Sequence, residues 1–213
     1  MQQARLNWRR GSIFSNYTLA KQRSNSDGAF SIPFSDTLEA EWGPANNDVR
    51  HRLHIGLNTQ ALKNTNMSVS LNYRSGNPYT IRTGTDDNGD LVFNERPAGV
   101  PRNTERADAQ MTISANASYT FSFGPKPPTP PPGGGSGGGV TVIGGGDRMV
   151  MVQGVGGPSG ASRYRINFNI GVQNLTNRVN HTGWNGTMTS PFFLQSTSVG
   201  APRKIDMGVS FSF

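Results

Sequence analysis

RKIDMGVSFSF, the sequence of residues 203–213, alternates polar and apolar side chains from Lys204 to its last residue. Successive side chains of a β-strand point to opposite faces of the sheet. This stretch therefore predicts a strand with one wholly apolar face and one face of small or polar residues. The apolar positions are Ile205, Met207, Val209, Phe211 and Phe213.

Six further segments alternate in the same way, with varying clarity. They are residues 3–8, 12–20, 49–59, 67–75, 109–123 and 163–173. One residue departs from the pattern: Phe14 falls on the polar side of its segment. No segment has a 3.6-residue apolar period, so we expect almost no helix. The sequence therefore predicts an all-β, antiparallel fold of about seven strands.

Recurrence of the pattern favours an up-and-down transmembrane β-barrel segment, a partial barrel whose strands turn apolar side chains to lipid and polar ones to the lumen. Only 33% of the residues are hydrophobic, which suits strands that need apolar side chains on one face. No run of 18 or more apolar residues exists, so the sequence contains no transmembrane helix. A strand of a soluble sandwich could also alternate in this way.

The connections between the predicted strands differ in length in a regular way. If Phe213 lies at the periplasmic end, the long connections 21–48, 76–108 and 174–202 face outward. The turns near Arg10 and at residues 61–66 then face the periplasm, and both are short. Short periplasmic turns and long outer loops are typical of outer-membrane barrels.

One connection on the periplasmic side is long and rich in Pro and Gly. It begins after Gly124 and contains the sequence PKPPTPPPGGGSGGG. Such a composition cannot build a core, so we expect a disordered insertion. The chain divides accordingly into 1–124 (barrel strands and outward loops), 125–162 (the insertion) and 163–213 (the last two strands).

Charge and residue types exclude several classes of function. The net charge is +7, but no run of five basic residues and no nucleic-acid-binding motif occurs, so no nucleic-acid partner is expected. The absence of cysteine removes disulfides and thiolate sites. No Ser/His/Asp grouping and no paired-carboxylate arrangement stands out, so we predict neither an enzyme nor an organic cofactor.

Residues 86–90, DDNGD, form the one candidate metal-binding motif of the sequence. Asp86, Asn88 and Asp90 offer oxygen ligands at alternate positions, a spacing that calcium loops use. A full EF-hand loop also needs a Glu at its twelfth position, which is Pro97 here. Asn-Gly is also a strong tight-turn signal, so a turn and a calcium site both remain open.

Several stretches together resemble a known family. They are DVRHRL at 48–53, SGNPYTIRTGTDDNGDLVFNERPAGVPRN at 75–103, VQNLTNRVNHT at 172–182, TSPFF at 189–193, and the terminal strand. The chain is similar to the C-terminal barrel region of TonB-dependent outer-membrane receptors. It is most similar to the Oar-like, carboxypeptidase-regulatory-domain-containing group of acidobacterial type.

This resemblance implies a membrane protein of the outer membrane of a Gram-negative bacterium. It implies that the chain is a fragment of a transporter for nutrient uptake whose barrel has roughly 22 strands. These residues would supply transmembrane β-strands of the barrel wall and some of the extracellular loops. The implied partners are outer-membrane lipid, an unidentified extracellular nutrient, and the TonB complex, reached through N-terminal regions outside this chain. In the family, the barrel-assembly machinery recognises the terminal strand. That role would fall to Ile205, Met207, Val209, Phe211 and Phe213.

Two other interpretations remain open. One is a small stand-alone outer-membrane barrel or adhesin, for which an eighth strand within residues 140–155 would give the even strand count of such barrels. The other is a soluble β-sandwich that binds carbohydrate and buries its apolar faces. The sequence does not identify a transported substrate.

Overall fold

A computed structural model describes residues 1–28, 30–35, 37–125 and 163–213 of the 213-residue chain. Within these ranges the chain forms thirteen β-strands and no helix, so no helix there could cross a membrane. The predicted all-β class and the predicted absence of helix are confirmed. The Pro/Gly-rich insertion predicted at 125–162 lies outside the described residues, apart from Pro125.

Seven strands form one antiparallel sheet, and their order in the sheet is their order along the chain. Three pairs of short strands lie between them in sequence but belong to separate small sheets. The seven strands are β1 (Gln2–Trp8), β2 (Gly11–Leu19), β5 (His51–Thr59), β6 (Thr65–Arg74), β9 (Gln110–Phe123), β10 (Tyr164–Gln173) and β13 (Lys204–Ser212). All seven predicted segments are strands, with ends within two residues of the prediction. The sheet is open: β1 and β13 form its two edges, and the described strands close no barrel.

The strand register places the seven alternating patterns in phase. One row of paired residues crosses every strand of the sheet and is apolar throughout: Leu6, Ile13, Leu57, Val69, Ala115, Val172 and Ile205. The adjacent row is polar or glycine throughout: Asn7, Ser12, Asn58, Ser68, Asn116, Gly171 and Asp206. Because a one-residue slip would move a whole strand's apolar set to the other face, this agreement fixes the register.

Phe14 is on the polar face, as its sequence position predicts. Its cross-strand partner on β5 is Gly56, which is buried beneath the ring. A Cβ atom at position 56 would collide with the aromatic carbons of Phe14. The ring also lies 5.3 Å from that of His54, measured between centroids. The glycine therefore makes room for the one large apolar side chain that breaks the pattern.

The sheet has two different ends. Three long connections leave one end: the first connection (residues 20–50), the second (75–109) and the third (174–203). Turns at 9–10 and 60–64 join strands at the other end. The predicted division into long and short connections is thus present among the described residues.

Each long connection contains a small antiparallel ladder that the sequence did not predict. The pairs are β3 (Arg23–Ser24) with β4 (Gly43–Pro44), β7 (Pro78–Tyr79) with β8 (Glu105–Arg106), and β11 (His181–Trp184) with β12 (Ser196–Val199). Two-residue strands are too short to show a period of two, and four residues barely show one. Each ladder pairs the two arms of its connection close to the main sheet.

Buried side chains lie in the long connections and not on the sheet. The buried hydrophobic residues of the described ranges are Ala45 and Val49, both in the first connection. The buried polar residues are Glu41, Asp48, Glu95, Arg102, Asn103, Asn174 and Asn180. The apolar face of the sheet has no buried residue. The interior formed by the described residues is therefore a mainly polar network at one end of the sheet.

Candidate functional site

The terminal strand β13 presents its apolar side chains to the surroundings. The five predicted assembly-signal residues, Ile205, Met207, Val209, Phe211 and Phe213, are between 53% and 88% exposed. Apolar residues of the neighbouring strand are exposed as well, among them Phe168 and Ile170. A contiguous exposed apolar surface of this kind marks a face that contacts lipid, a partner or another copy.

Aromatic rings form a row across the last three strands of the sheet. Phe121, Phe123, Tyr164, Phe211 and Phe213 stack in that order, with successive ring centroids 5.5–6.2 Å apart. The row lies on the apolar face at the end opposite the long connections. Aromatic girdles of barrels occupy such a position, while the general strand preference of aromatic residues does not by itself produce a single stacked row.

The opposite face of the sheet is hydrophilic and contains shallow depressions. One depression of about 370 Å³ is lined by polar side chains that include His54, Asn72 and Arg74. His54 Nδ1 lies 2.7 Å from Asn72 Oδ1, and Arg74 donates two hydrogen bonds to Gln110 Oε1. His51 is on the apolar face beside Tyr17 and His54 is on the polar face, so the two histidines cannot chelate one ion.

Arginine–carboxylate pairs join the first and second connections. Arg96 donates two hydrogen bonds to Glu41, at 2.7 and 2.9 Å, and both side chains are buried. Burial alone would raise the pKa of Glu41, but hydrogen bonds from Arg96 and Ser35 and the Arg96 charge lower it from 4.5 to about 2. Charge-assisted, bidentate pairs of this type are among the strongest polar contacts in proteins.

Two further arginines of the second connection reach into the first. Arg102 pairs with Asp27 at 2.6 Å and donates hydrogen bonds to Ser24. Arg106 pairs with Asp48, which also accepts a hydrogen bond from the backbone N–H of Gln22. Burial opposes ionisation of Asp48, yet these hydrogen bonds and the charges of Arg106 and Arg50 hold its pKa below the ordinary value.

The third connection packs on the second and on the sheet. The rings of Tyr79 and Trp184 stack with centroids 6.2 Å apart, and the backbone of Arg82 exchanges hydrogen bonds with Gly186 and Met188. The side-chain amide of Asn180 accepts a hydrogen bond from Met111 N–H and donates one to Met111 C=O. This amide takes the place of a partner strand at the start of β9.

Sequence reasoning did not identify the residues that join the connections, although Asp48, Arg96, Arg102 and Asn180 lie in the stretches that carry the family resemblance. Their role depends on pairs far apart in sequence, such as Arg102 with Asp27, which no local pattern reveals. One local signal was present. Asn103, Asn174 and Asn177 have positive φ angles of 49–57°, and asparagine is among the residues that most readily adopt this conformation.

The DDNGD segment forms a tight turn in the second connection. Asp86 accepts hydrogen bonds from the backbone N–H groups of Gly89, Asp90 and Leu91, and Gly89 has a φ of 76°. Asn88 bonds within the turn to Asp90. The predicted turn is therefore formed. Of the three predicted calcium ligands, the structure brings Asp86 and Asp90 together.

A fourth residue, Glu95, joins these two aspartates. One carboxylate oxygen from each of Asp86, Asp90 and Glu95 lies within 4.8 Å of the others. Glu95 did not stand out in the sequence because it is the tenth residue when Asp86 is counted as the first, a position at which the calcium-loop pattern places no ligand. The chain brings it in by folding back after the turn, and its C=O accepts a hydrogen bond from Thr83 N–H.

Comparison of the chain with protein-family models, with curated proteins and with solved structures returned no match.

Proposed function

We propose that this chain is the C-terminal part of a TonB-dependent outer-membrane receptor that takes up a nutrient. Its seven-stranded sheet would form part of the barrel wall, with the apolar face in lipid and the polar face towards the lumen. The long connections would form extracellular loops. The observation that carries the proposal is the row of seven in-phase apolar residues, one from each strand, on an exposed face.

Three further observations support a place in the outer membrane. The aromatic row lies at the end of the sheet with short turns, where a periplasmic interface would be. The strand register places mainly Asn, Ser, Thr and Arg side chains on the opposite face, which suit a water-filled lumen. The three long connections share the other end, as extracellular loops do.

The open edges support a role as one part of a larger barrel. β1 and β13 each have one side without a described partner strand, and hydrocarbon does not tolerate unpaired backbone groups. Further strands of the receptor would pair with both edges. Barrel-assembly machinery would act on the exposed residues of β13. TonB would be engaged by other regions of the receptor.

A labelling experiment tests the assignment of faces. The chain lacks cysteine, so single cysteines can be introduced without a background. Val209→Cys and Ser210→Cys place a polarity-sensitive fluorophore on opposite faces of β13, one residue apart. The labelled positions are carried in the full-length receptor, in which both sheet edges are paired, and the receptor is refolded into phosphatidylcholine vesicles that contain a lipid with a quencher on its acyl chain. We expect strong quenching at position 209 and weak quenching at position 210.

A second pair, Ile113→Cys and Ser114→Cys, repeats the comparison on a central strand, where fraying of the edge plays no part. Equal quenching at both members of both pairs would contradict the proposal. A chain that remains a monodisperse monomer in buffer and does not enter vesicles would favour the soluble, carbohydrate-binding sandwich.

A further inference from the structure

The carboxylate of Glu95 lies in an unusual environment. The residue is 2% exposed, and neither side-chain oxygen accepts a hydrogen bond from any described residue. None of the ion pairs among the described residues includes it. A buried carboxylate without a partner is strongly unfavourable in a folded protein. A cation facing these oxygens would remove this cost.

Among the residues that the structure describes, no ion pair supplies a cation to Glu95. The adjacent Arg96 has its guanidinium engaged with Glu41 and Ser35. The groups that do lie near Glu95 are the carboxylates of Asp86 and Asp90, which increase the local negative charge. Like charges at this separation repel unless a counter-ion lies between them.

The separations of the three carboxylates suit one calcium ion. Oxygens bound to the same Ca²⁺ at about 2.3–2.6 Å lie no more than about 5 Å apart. The oxygens of Asp86, Asp90 and Glu95 meet this condition, since all are within 4.8 Å of one another. The oxygen-only ligand set favours calcium over zinc or copper, which prefer nitrogen and sulfur ligands.

The three carboxylates also have lone pairs that no hydrogen bond uses. An ionised carboxylate has about four lone-pair positions. Asp86 accepts three hydrogen bonds and Asp90 two, which orient these groups, while Glu95 accepts none. A further buried oxygen without a hydrogen bond, Oδ1 of Asn94, belongs to the residue next to Glu95.

We propose that Asp86, Asp90 and Glu95 bind one calcium ion and that this ion orders the second connection. The site is linked to the first connection through Arg96, which follows Glu95 and pairs with Glu41. Asn94 adds a second link, because its amide donates to the C=O of Ile32. Calcium would therefore stabilise the contact between the two connections. This proposal does not depend on the membrane proposal, since it concerns the connections alone.

Calorimetric titration of CaCl₂ into the full chain tests the site. The chain is folded in detergent micelles and freed of metal with EDTA. We expect one saturable site with a Kd of about 10⁻⁴–10⁻³ M, the range of extracellular calcium modules. Glu95→Gln should weaken binding at least about tenfold, because it removes one of three charged ligands. Glu39→Gln, an exposed glutamate outside the cluster, should leave the Kd unchanged.

A melting experiment distinguishes two roles for Glu95: a ligand that binds calcium, or a carboxylate that only stabilises the fold. We expect calcium to raise the Tm of the connections, followed by tryptophan fluorescence, by roughly 5–10 °C at about 100 times the Kd. In EDTA, Glu95→Gln should melt at a higher temperature than the wild type, because it loses an unpaired buried charge, and calcium should not raise it further. A structural carboxylate would give a lower Tm for Glu95→Gln with or without calcium.

Asp90→Asn provides a second variant, because Asp90 is exposed and the amide oxygen of an asparagine can still accept the hydrogen bond from Val92 N–H. It should weaken binding without unfolding the connection. Two results would overturn the proposal. One is the absence of saturable binding up to about 10 mM in a wild-type chain with native tryptophan fluorescence. The other is unchanged affinity in both Glu95→Gln and Asp90→Asn.

Discussion

At the scale of single residues, the stability of the long connections depends on a few arginines whose partners are buried carboxylates. Arg96 and Glu41 are both buried, whereas Arg50 is half exposed and lies 3.8 Å from Asp48. Removing Arg96 leaves the buried Glu41 without its cation, whereas removing the half-exposed Arg50 leaves Asp48 still paired with Arg106. The two kinds of pair should therefore respond differently to the same substitution.

Arg96→Gln should destabilise the contact between the first and second connections by about 3 kcal/mol. Arg50→Gln is the matched control, with an expected effect below about 1 kcal/mol. Limited trypsin digestion measures the difference as the rate of cleavage after Arg23, in the first connection. Equal cleavage rates in the two variants would show that the Arg96–Glu41 pair does not hold the connections together.

Acid should loosen the same contact. The pKa of Glu41 is lowered to about 2 in the folded chain, below its ordinary value of 4.5. A lowered folded-state pKa means that folding favours the ionised form, so this contribution is complete above about pH 4.5 and is lost as the pH falls towards 2. Asp48, whose pKa is also lowered, acts in the same direction.

We expect the fluorescence of Trp42, next to Glu41, to change between about pH 4.5 and pH 2. The other tryptophans are replaced by phenylalanine for this measurement. Glu41→Gln should be less stable at neutral pH and should lose most of the pH dependence in this range. An unchanged pH profile in Glu41→Gln would assign the transition to other groups.

At the scale of strands, the alternating pattern was sufficient to locate all seven members of the main sheet. Each of these strands has one face that is mostly apolar, so the period of two is visible in the sequence. The six short strands were missed because their positions depend on contacts between connections. Glu95 was missed for the same reason, because the chain folds back to place it beside Asp86 and Asp90, and no regular sequence spacing indicates this contact.

Gly56→Ala tests the fit between β2 and β5. A Cβ at this position collides with the Phe14 ring, and overpacking of this kind costs about 1–3 kcal/mol. Gly171→Ala is the control on the same face, because the nearest atom to its added Cβ is Asn116 Nδ2 at 3.5 Å, an ordinary contact. Urea unfolding followed by circular dichroism should show a loss for Gly56→Ala and little change or a gain for Gly171→Ala.

Replacing Phe14 by alanine in the Gly56→Ala background should recover part of the lost stability, because the atoms that the Cβ meets are then absent. If the double variant is as unstable as the sum of the two single variants, the collision is not the cause. The glycine would then be required for another reason, such as the local twist of the strand.

At the scale of the whole molecule, the chain has a hydrophilic interior at one end and an apolar surface over one face of its sheet. The two edge strands and this apolar face can associate with other copies of the chain. In buffer without detergent we therefore expect the full chain to form aggregates, as measured by size-exclusion chromatography with light scattering. A monodisperse monomer that melts cooperatively in plain buffer would contradict the barrel-segment proposal.

The pairs that fasten the connections also have a consequence for the rate of folding. Glu41 and Arg96 are 55 residues apart, Asp48 and Arg106 58, and Asp27 and Arg102 75. The hairpins β1–β2 and β5–β6 close over only a few residues. Because long loops close more slowly than short ones, refolding should show an early phase of strand pairing and a later, salt-sensitive phase in which the first and second connections come together.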